Sequence, residues 1–501
     1  MGPVIDTNYG RIEGTVLNRM ELFLGVPYAR PPCADLRFRP PRPPEPWTGV
    51  RRAQEPGAIC PQSEAPIRTL LPRAQLGQSE DCLTLNVWTP GSQSGRRPIL
   101  VWFHSGMLLY GSGSDPVYDA DSLARRGDLV VVTVNYRLGV LGFLYHPALL
   151  DPATGLCGNW GLLDQLAALQ WVRDHAERLG GDPENVTICG SAAGGTSVAV
   201  LATSPARRGL FRRAIVQSTA PYTMPPEHAG DAAAAFARSA GCSIEEPEKL
   251  RDLPVERVLE LQTAWADQVG GPLGIEPVGD TRLVALDPIA AAGRGAAAGV
   301  DLMIGTNRDE YRLYGLIDRG RATLDLEGLE RRVARWLPPA QATDAIEAYR
   351  TFRGARGEPC SPWDLWCAIQ SDRMYRVPSL RFAAENAASG ISTYVYLFSW
   401  ESPYADGTLG ACHGLEIPFV FGTHPLVPEF AGASAEAHEL AEKVQGAWIA
   451  FARFGNPTHP GIIPWPRFDL PRRGTFILDD PCRRENAPRE PERAFWDHIR
   501  E

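Results

Sequence analysis

Residues 188–197, reading ICGSAAGGTS, have the residue types of a turn that could present a reactive side chain. An apolar run precedes this stretch and a run compatible with a helix follows it, so the sequence predicts a strand, a tight corner and a helix. The pattern G-x-S-x-G at such a corner carries a nucleophilic serine that attacks carbonyl carbons. Gly190 and Gly194 occupy the two glycine places, but the central place holds Ala192. Since a methyl group cannot attack a carbonyl, the corner is predicted to lack its nucleophile.

The elements around this corner alternate between strand and helix patterns. Residues 129–136, reading LVVVTVNY, form an almost unbroken β-branched run, which is typical of a strand covered on both faces. Residues 162–179 and 437–454 have helical spacing, and residues 475–479 are predicted to be a last edge strand. This alternation predicts an α/β fold with a large, mainly parallel central sheet flanked by helices. We predict one domain over residues 1–501, with pocket-forming helical insertions at about 221–390.

Composition excludes several classes of function. The chain has 501 residues and a net charge of −9 with no basic block, so a nucleic-acid partner is not expected. No stretch is long and apolar enough for a membrane span, and no basic region followed by an apolar core opens the chain. A cytoplasmic location without membrane contact is therefore expected, although a chain whose leader had been removed would look the same. The scarcity of lysine favours a GC-rich bacterial genome.

No motif for a metal or an organic cofactor is present. The ten cysteines show no paired zinc spacing, and there is no HExxH sequence, P-loop or dinucleotide-binding glycine pattern. The sequence gives no signal for an oligomeric state.

Several longer segments carry a family resemblance together. They are residues 79–87 (SEDCLTLNV), 135–139 (NYRLG), 158–165 (GNWGLLDQ) and 180–187 (GGDPENVT). With these motifs the chain resembles the type-B carboxylesterases, the cholinesterase-like branch of the α/β-hydrolase fold, over nearly its whole length. The resemblance implies an α/β-hydrolase fold and a Ser–Glu–His triad.

The resemblance places the triad on three segments. The acid motif matches GTNRDE at residues 305–310 and assigns the carboxylate to Glu310, and the base motif matches CHGLEIPF at 412–419 and assigns the imidazole to His413. Glu310 would hold one tautomer of His413, which would move the proton. The nucleophile position is Ala192.

An oxyanion hole is implied by the same resemblance. Its amide donors would be those of Gly106, Met107 and Ala193. The family pattern there is H-G-G-G or H-G-G-A, whereas this chain reads His-Ser-Gly-Met from residue 104. Ser105 and Met107 add bulk that would reshape the hole or fill the space of an acyl group.

Other matched positions have expected supporting roles. Ser191 stands where the family commonly has Glu, and it is expected to line the pocket, with a displaced nucleophile as the alternative. Ser218 and Glu416 match positions that support the catalytic His. Cys60 and Cys82 match two family cysteines that form a disulfide.

Three hypotheses for function remain open. In the first, the chain is a natural variant that uses His413 and Glu310 for acid–base chemistry such as elimination, isomerisation or cyclisation, and bacterial secondary metabolism is a plausible setting. In the second, it is a carboxylic-ester hydrolase with an engineered alanine at 192. In the third, it is a non-catalytic binding module. The first two share a partner: a small-molecule ester or a largely apolar organic ligand.

Overall fold

A computed structural model describes residues 2–64, 70–92, 94–268, 275–280 and 282–499. In these residues an eleven-stranded mixed sheet and a separate three-stranded sheet form the framework. The strands are β1 (Val4–Thr7), β2 (Gly10–Glu13), β3 (Thr15–Leu17), β4 (Met20–Pro27), β5 (Val50–Arg52), β6 (Thr84–Thr89), β7 (Arg97–Phe103), β8 (Val130–Val134), β9 (Gly181–Ser191), β10 (Arg213–Gln217), β11 (Asp301–Asn307), β12 (Thr393–Phe398), β13 (Gly474–Leu478) and β14 (Arg483–Asn486).

The large sheet is parallel at its centre and antiparallel at both ends. Its order is β14-β13-β12-β11-β10-β9-β7-β8-β6-β4-β3, and the pairs from β13 to β8 are all parallel. The three small strands β1, β2 and β5 pair separately. The architecture is an α/β-hydrolase fold, which confirms the fold class predicted from the sequence.

The prediction of a last edge strand at residues 475–479 is wrong in one respect. That segment is β13, but β14 pairs with it antiparallel on its outer side and forms the edge. β14 reads RREN and is largely exposed, so it has no apolar alternation from which a strand could be predicted.

Helices cover both faces of the sheet. They are α1 (Asp121–Gly127), α2 (Gly139–Phe143), α3 (Trp160–His175), α4 (Ala193–Thr203), α5 (Pro226–Ser239), α6 (Pro247–Arg251), α7 (Val255–Gln268), α8 (Pro288–Gly293), α9 (Leu326–Val333), α10 (Pro339–Ala355), α11 (Pro362–Ser371), α12 (Val377–Ala388), α13 (Ile417–Phe421), α14 (Pro428–Ala431), α15 (Ala435–Phe454) and α16 (Glu490–His498). The helix predicted at 162–179 begins two residues earlier, and its last turn is a separate 3-10 turn, Glu177–Leu179.

The central strands are apolar on both faces because both faces are covered. All five residues of β8 are buried. Val130, Val132 and Val134 join the hydrophobic core on one side of the sheet, while Val131 joins the core on the other side. A strand between two layers of helices therefore reads as a continuous β-branched run.

A third apolar cluster lies in the helices between β11 and β12. It includes residues of α9, α10 and α11 together with Trp496 of α16, so the end of the described chain packs against these helices. None of the described helices combines the length and apolar character that crossing a membrane requires.

Candidate functional site

The corner between β9 and α4 is held in an unusual backbone conformation. Ala192 lies between the two elements with φ +53° and ψ −121°. A non-glycine residue in such a region costs on the order of 1–3 kcal/mol, which the surrounding packing must offset. A Cβ on Gly194 would lie 2.0 Å from the carbonyl oxygen of Phe103, and one on Gly190 would lie 2.5 Å from the carbonyl carbon of Gly194. The two glycines therefore allow strand β7, strand β9 and helix α4 to meet at this corner.

Glu310 and His413 lie in contact although about a hundred residues separate them. Nδ1 of His413 is 2.6 Å from Oε2 of Glu310. The other carboxylate oxygen of Glu310 accepts a 2.7 Å hydrogen bond from the amide of Asn307 at the end of β11. Glu310 is fully buried, and the His413 side chain is 11% exposed. No described residue hydrogen-bonds Nε2 of His413, so this nitrogen is available to a bound molecule.

The carboxylates around His413 favour its charged form. Burial lowers the pKa of the imidazole, but the charge and hydrogen bond of Glu310 outweigh this effect, and the net result is a raised pKa. Glu416 adds to the rise from farther away. An imidazole in this setting can take a proton and hold the resulting charge.

Three backbone amides stand unpaired beside the corner. In the described part of the chain, the N–H groups of Gly106, Met107 and Ala193 donate to no protein acceptor. Gly106, Met107 and Leu108 all have positive φ, at 123°, 59° and 58°, so the loop after β7 turns sharply. Free amides grouped in this way can stabilise a negative oxygen.

These groups line one pocket with a volume of about 330 Å³. Its walls are mainly apolar and aromatic, and they come from segments far apart in the sequence. The pocket-lining residues include Leu70, Leu71, Arg73, Tyr110, Thr196, Tyr222, Ile275, Glu276, Leu313, Tyr314, Arg373, Met374, Tyr375, Ile417 and Phe430. The predicted insertions at 221–390 supply only part of this wall, because residues before and after them also close it.

Known proteins resemble this chain over nearly its whole length. A family model described as "Carboxylesterase family" matches residues 1–496. The chain belongs to the carboxylesterase family. Among its relatives, the para-nitrobenzyl esterase of Bacillus subtilis (strain 168) is 36% identical over 98% of this chain and 97% of its own length. The phenmedipham hydrolase of Pseudarthrobacter oxydans is 36% identical over 99% of this chain and 98% of its own length.

Solved structures of the family have the same fold. A crystal structure of a carboxylesterase from Geobacillus stearothermophilus superposes with a TM-score of 0.87 at 36% sequence identity, and covers 98% of this chain and 99% of its own. The family and the fold are thereby established together.

Within this family fold, Ser191 lines the pocket as expected, but its hydroxyl is bound to a buried carboxylate. Its Oγ donates a 2.9 Å hydrogen bond to Oε1 of Glu416, and the residue is fully buried. Glu416 also accepts from the side-chain amides of Gln217 at 3.1 Å and Asn307 at 2.8 Å. The hydroxyl of Ser191 is thus committed to a carboxylate, which disfavours the displaced-nucleophile alternative.

The two departures in the oxyanion loop have different surroundings. Oγ of Ser105 lies 2.9 Å from the hydroxyl of the buried Tyr118, which fixes its position. Met107 is partly exposed, lines the pocket and itself has a positive φ. A glycine would adopt that φ without strain, so the methionine side chain is retained at a conformational cost.

The two predicted supporting residues do not hydrogen-bond His413 directly. The amide of Ser218 donates to the carbonyl of Gly305 at 2.8 Å, but its buried hydroxyl has no protein partner in the described residues. Ser218 has φ +48° and lines the pocket. Glu416 acts on His413 through its charge, and its pKa is raised by burial and by the nearby Glu310.

Cys60 and Cys82 lie next to each other as free thiols. A hydrogen bond with Cys60, together with burial, raises the pKa of Cys82. The amide of Leu138 donates to Sγ of Cys60 at 3.3 Å. The disulfide implied by the resemblance is not formed in this structure, while the adjacency is present.

Several residues of the site were not predicted from the sequence. The rings of Tyr314 and Tyr375 lie 6.0 and 5.0 Å from that of His413, and their hydroxyls are 2.6 Å apart. Tyr314 follows Glu310 by four residues, so the acid motif is a signal from which it could be found, whereas Tyr375 lies between α11 and α12 and is near no matched motif. Among the described residues there is no group of His, Cys, Asp or Glu side chains that could hold a metal ion.

Proposed function

We propose that this carboxylesterase-family chain acts on a small, largely apolar ester or related carbonyl compound and transfers protons to and from it without forming an acyl-enzyme. The observation that supports this proposal is the composition of one pocket. It contains a histidine with a free Nε2, three unpaired amides and a methyl group at the position expected for the nucleophile.

The proposed chemistry follows from where charge would develop. A carbonyl oxygen bound by the amides of Gly106, Met107 and Ala193 would be stabilised as an enolate oxygen when the neighbouring carbon loses a proton. Nε2 of His413 would accept that proton, and Glu310 would stabilise the imidazolium. If the substrate carries a β,γ double bond, the resulting dienolate takes the proton back at its γ-carbon, which completes an isomerisation. If it carries a β-substituent, the enolate electrons form the new double bond and the substituent leaves with its bonding pair, which completes an elimination.

A second candidate is hydrolysis of carboxylic esters by a form with serine at residue 192. The strained backbone of Ala192 favours it, because φ +53° and ψ −121° is a conformation with no evident use for a methyl side chain. Relatives named para-nitrobenzyl esterase and phenmedipham hydrolase point the same way.

One set of variants tests both candidates. The chain as it stands, Ala192→Ser, His413→Ala and the double variant are each assayed with p-nitrophenyl acetate and with phenylacetone in D₂O. Acid–base chemistry predicts deuterium incorporation next to the carbonyl of phenylacetone, measured by NMR, in the chain as it stands and in Ala192→Ser, but not in either variant that lacks His413.

The hydrolytic candidate predicts a different result. Ala192→Ser would raise p-nitrophenyl acetate hydrolysis by at least about 10³-fold, with a burst of p-nitrophenol and labelling by an organophosphate. Absence of deuterium exchange in the folded chain contradicts the first candidate. A folded Ala192→Ser variant that neither hydrolyses the ester nor labels contradicts the second.

A further inference from the structure

Among the described residues, one carboxylate lines the pocket that holds Ala192 and His413. It belongs to Glu276, which lies beyond α7 and is half-buried. No described residue hydrogen-bonds its carboxylate or forms an ion pair with it. Burial raises the pKa of Glu276, and no neighbouring group opposes that effect. A partly desolvated carboxylate without a protein partner is costly unless something else binds it.

The backbone on either side holds Glu276 at the pocket wall. The amide of Met224 donates to the carbonyl of Pro277 at 2.9 Å. The side-chain amide of Asn159 accepts from the amide of Val278 and donates to its carbonyl, each at 2.8 Å. These contacts fix the segment that carries Glu276, which lines the pocket, and no described residue forms a hydrogen bond with its carboxylate.

The two arginines among the described pocket-lining residues are engaged with other groups. Nη1 of Arg73 is 2.8 Å from Oδ2 of Asp115, and the guanidinium of Arg373 lies 4.2 Å from the ring centroid of Trp336. Neither forms an ion pair with Glu276. The negative charge of Glu276 is therefore not neutralised from within the described pocket wall.

We propose that Glu276 binds a cationic group of the substrate, so that the preferred substrates are carbonyl compounds that also carry an ammonium group. The inference rests on the proposed function for the place of the carbonyl and adds the class of substrate. A substrate cation would supply the opposite charge that the half-buried carboxylate lacks. Tyr222 and Tyr375, which line the same pocket, offer aromatic faces that favour such a cation.

Binding to the chain as it stands tests this inference. The ligands are 4-(trimethylammoniomethyl)phenyl acetate and its neutral isostere 4-neopentylphenyl acetate, with affinity measured by calorimetry. The cationic ester should bind about tenfold more tightly than the neutral one, and Glu276→Gln should remove that preference while leaving the neutral ester unaffected. Glu227→Gln, at an exposed position in α5, makes the same change of net charge and should leave both affinities unaltered.

Two further arms separate this inference from the proposed function. Benzyltrimethylammonium carries the cation without an ester. Its binding to the chain as it stands and not to Glu276→Gln supports the inference even if neither ester binds, and in that case only the ester-binding proposal fails. Glu276→Lys should reverse the preference toward 4-acetoxyphenylacetate. Equal affinities for the charged and neutral esters, no binding of benzyltrimethylammonium, or a uniform loss of all ligands in both Glu276 variants would overturn the role of Glu276.

Discussion

Ser191 and Glu416 form a fully buried hydrogen bond of 2.9 Å directly behind the strained corner at Ala192. The two residues are 225 positions apart in the sequence. Their contact links the end of β9 to the segment that carries His413. It also means that the hydroxyl of the serine next to the corner is already bound to a carboxylate.

We predict that Ser191→Ala lowers the free energy of unfolding by about 1–2 kcal/mol, because Glu416 loses a buried donor. Proton-transfer activity should persist. Thr187→Val on the same strand is the matched control, since the buried hydroxyl of Thr187 has no described partner and its removal should not destabilise. Urea unfolding measures both variants. Complete loss of activity in a folded Ser191→Ala variant would instead indicate that Ser191 reacts.

Glu310 is predicted to control the pKa of His413. Glu310→Gln removes the charge that raises this pKa, so the burial effect prevails and the pKa should fall below its ordinary value. An NMR titration of the His413 ring measures the shift directly and does not depend on activity. Because a general base must be neutral, the acid limb of the rate profile should move to lower pH in Glu310→Gln, and the rate on the plateau should fall. The exposed Glu227→Gln control should change neither, and an unshifted pKa in Glu310→Gln would refute the coupling.

The side chain of Met107 is predicted to limit the length of the acyl group that the pocket accepts. In the Ala192→Ser background, Ser105→Gly with Met107→Gly should favour hexanoate over acetate p-nitrophenyl esters by roughly tenfold, the value of one or two extra buried methylenes. Met374→Ala removes a methionine from another part of the pocket and controls for volume alone. An acyl-length preference equal to that of the single Ala192→Ser variant would show that Met107 does not block the site.

Gly194 is predicted to be intolerant of any side chain. Gly194→Ala would place a methyl group 2.0 Å from the carbonyl oxygen of Phe103, so β7 and α4 must separate. We expect a loss of about 1–3 kcal/mol in unfolding free energy and weaker ester binding, since the amides of the oxyanion loop would shift. Gly354→Ala in α10 meets no atom within 4 Å and should stabilise the helix by about 0.5–1 kcal/mol. Equal stability of the two variants would contradict the steric account.

Acid should destabilise the fold through buried neutral histidines. Burial lowers the pKa of His424 to about 4, and no described group hydrogen-bonds either of its ring nitrogens. At a pH between the folded pKa of His424 and its higher pKa in the unfolded chain, only the unfolded chain protonates this imidazole. The contribution of His424 to the unfolding free energy is therefore fully present above the unfolded pKa and is lost as the pH falls toward about 4. The ring of His424 stacks on that of Phe419, so a phenylalanine should fit in its place. His424→Phe should remove roughly 2 kcal/mol of the decline in unfolding free energy between about pH 7.5 and about pH 5. An unchanged decline in urea unfolding experiments would exclude this contribution.

The sequence by itself determined the features that depend on neighbouring residues. The alternation of β-branched segments with segments of helical period predicted the α/β class. This was possible because the apolar pattern of a strand or helix indicates which of its faces are covered. The small residues around Ala192 predicted the corner for the same local reason. Motifs that matched the family placed Glu310 and His413, and the structure brings these two side chains together.

Only the tertiary structure decided how side chains from distant segments meet. The direction of Ser191 depends on Glu416, the isolation of Glu276 depends on a pocket wall built from several segments, and the edge position of β14 depends on pairing with β13. None of these relationships leaves a period or a spacing in the sequence. Burial, hydrogen-bond partners and the resulting pKa shifts are properties of packed neighbours, and those neighbours are brought together only by the fold.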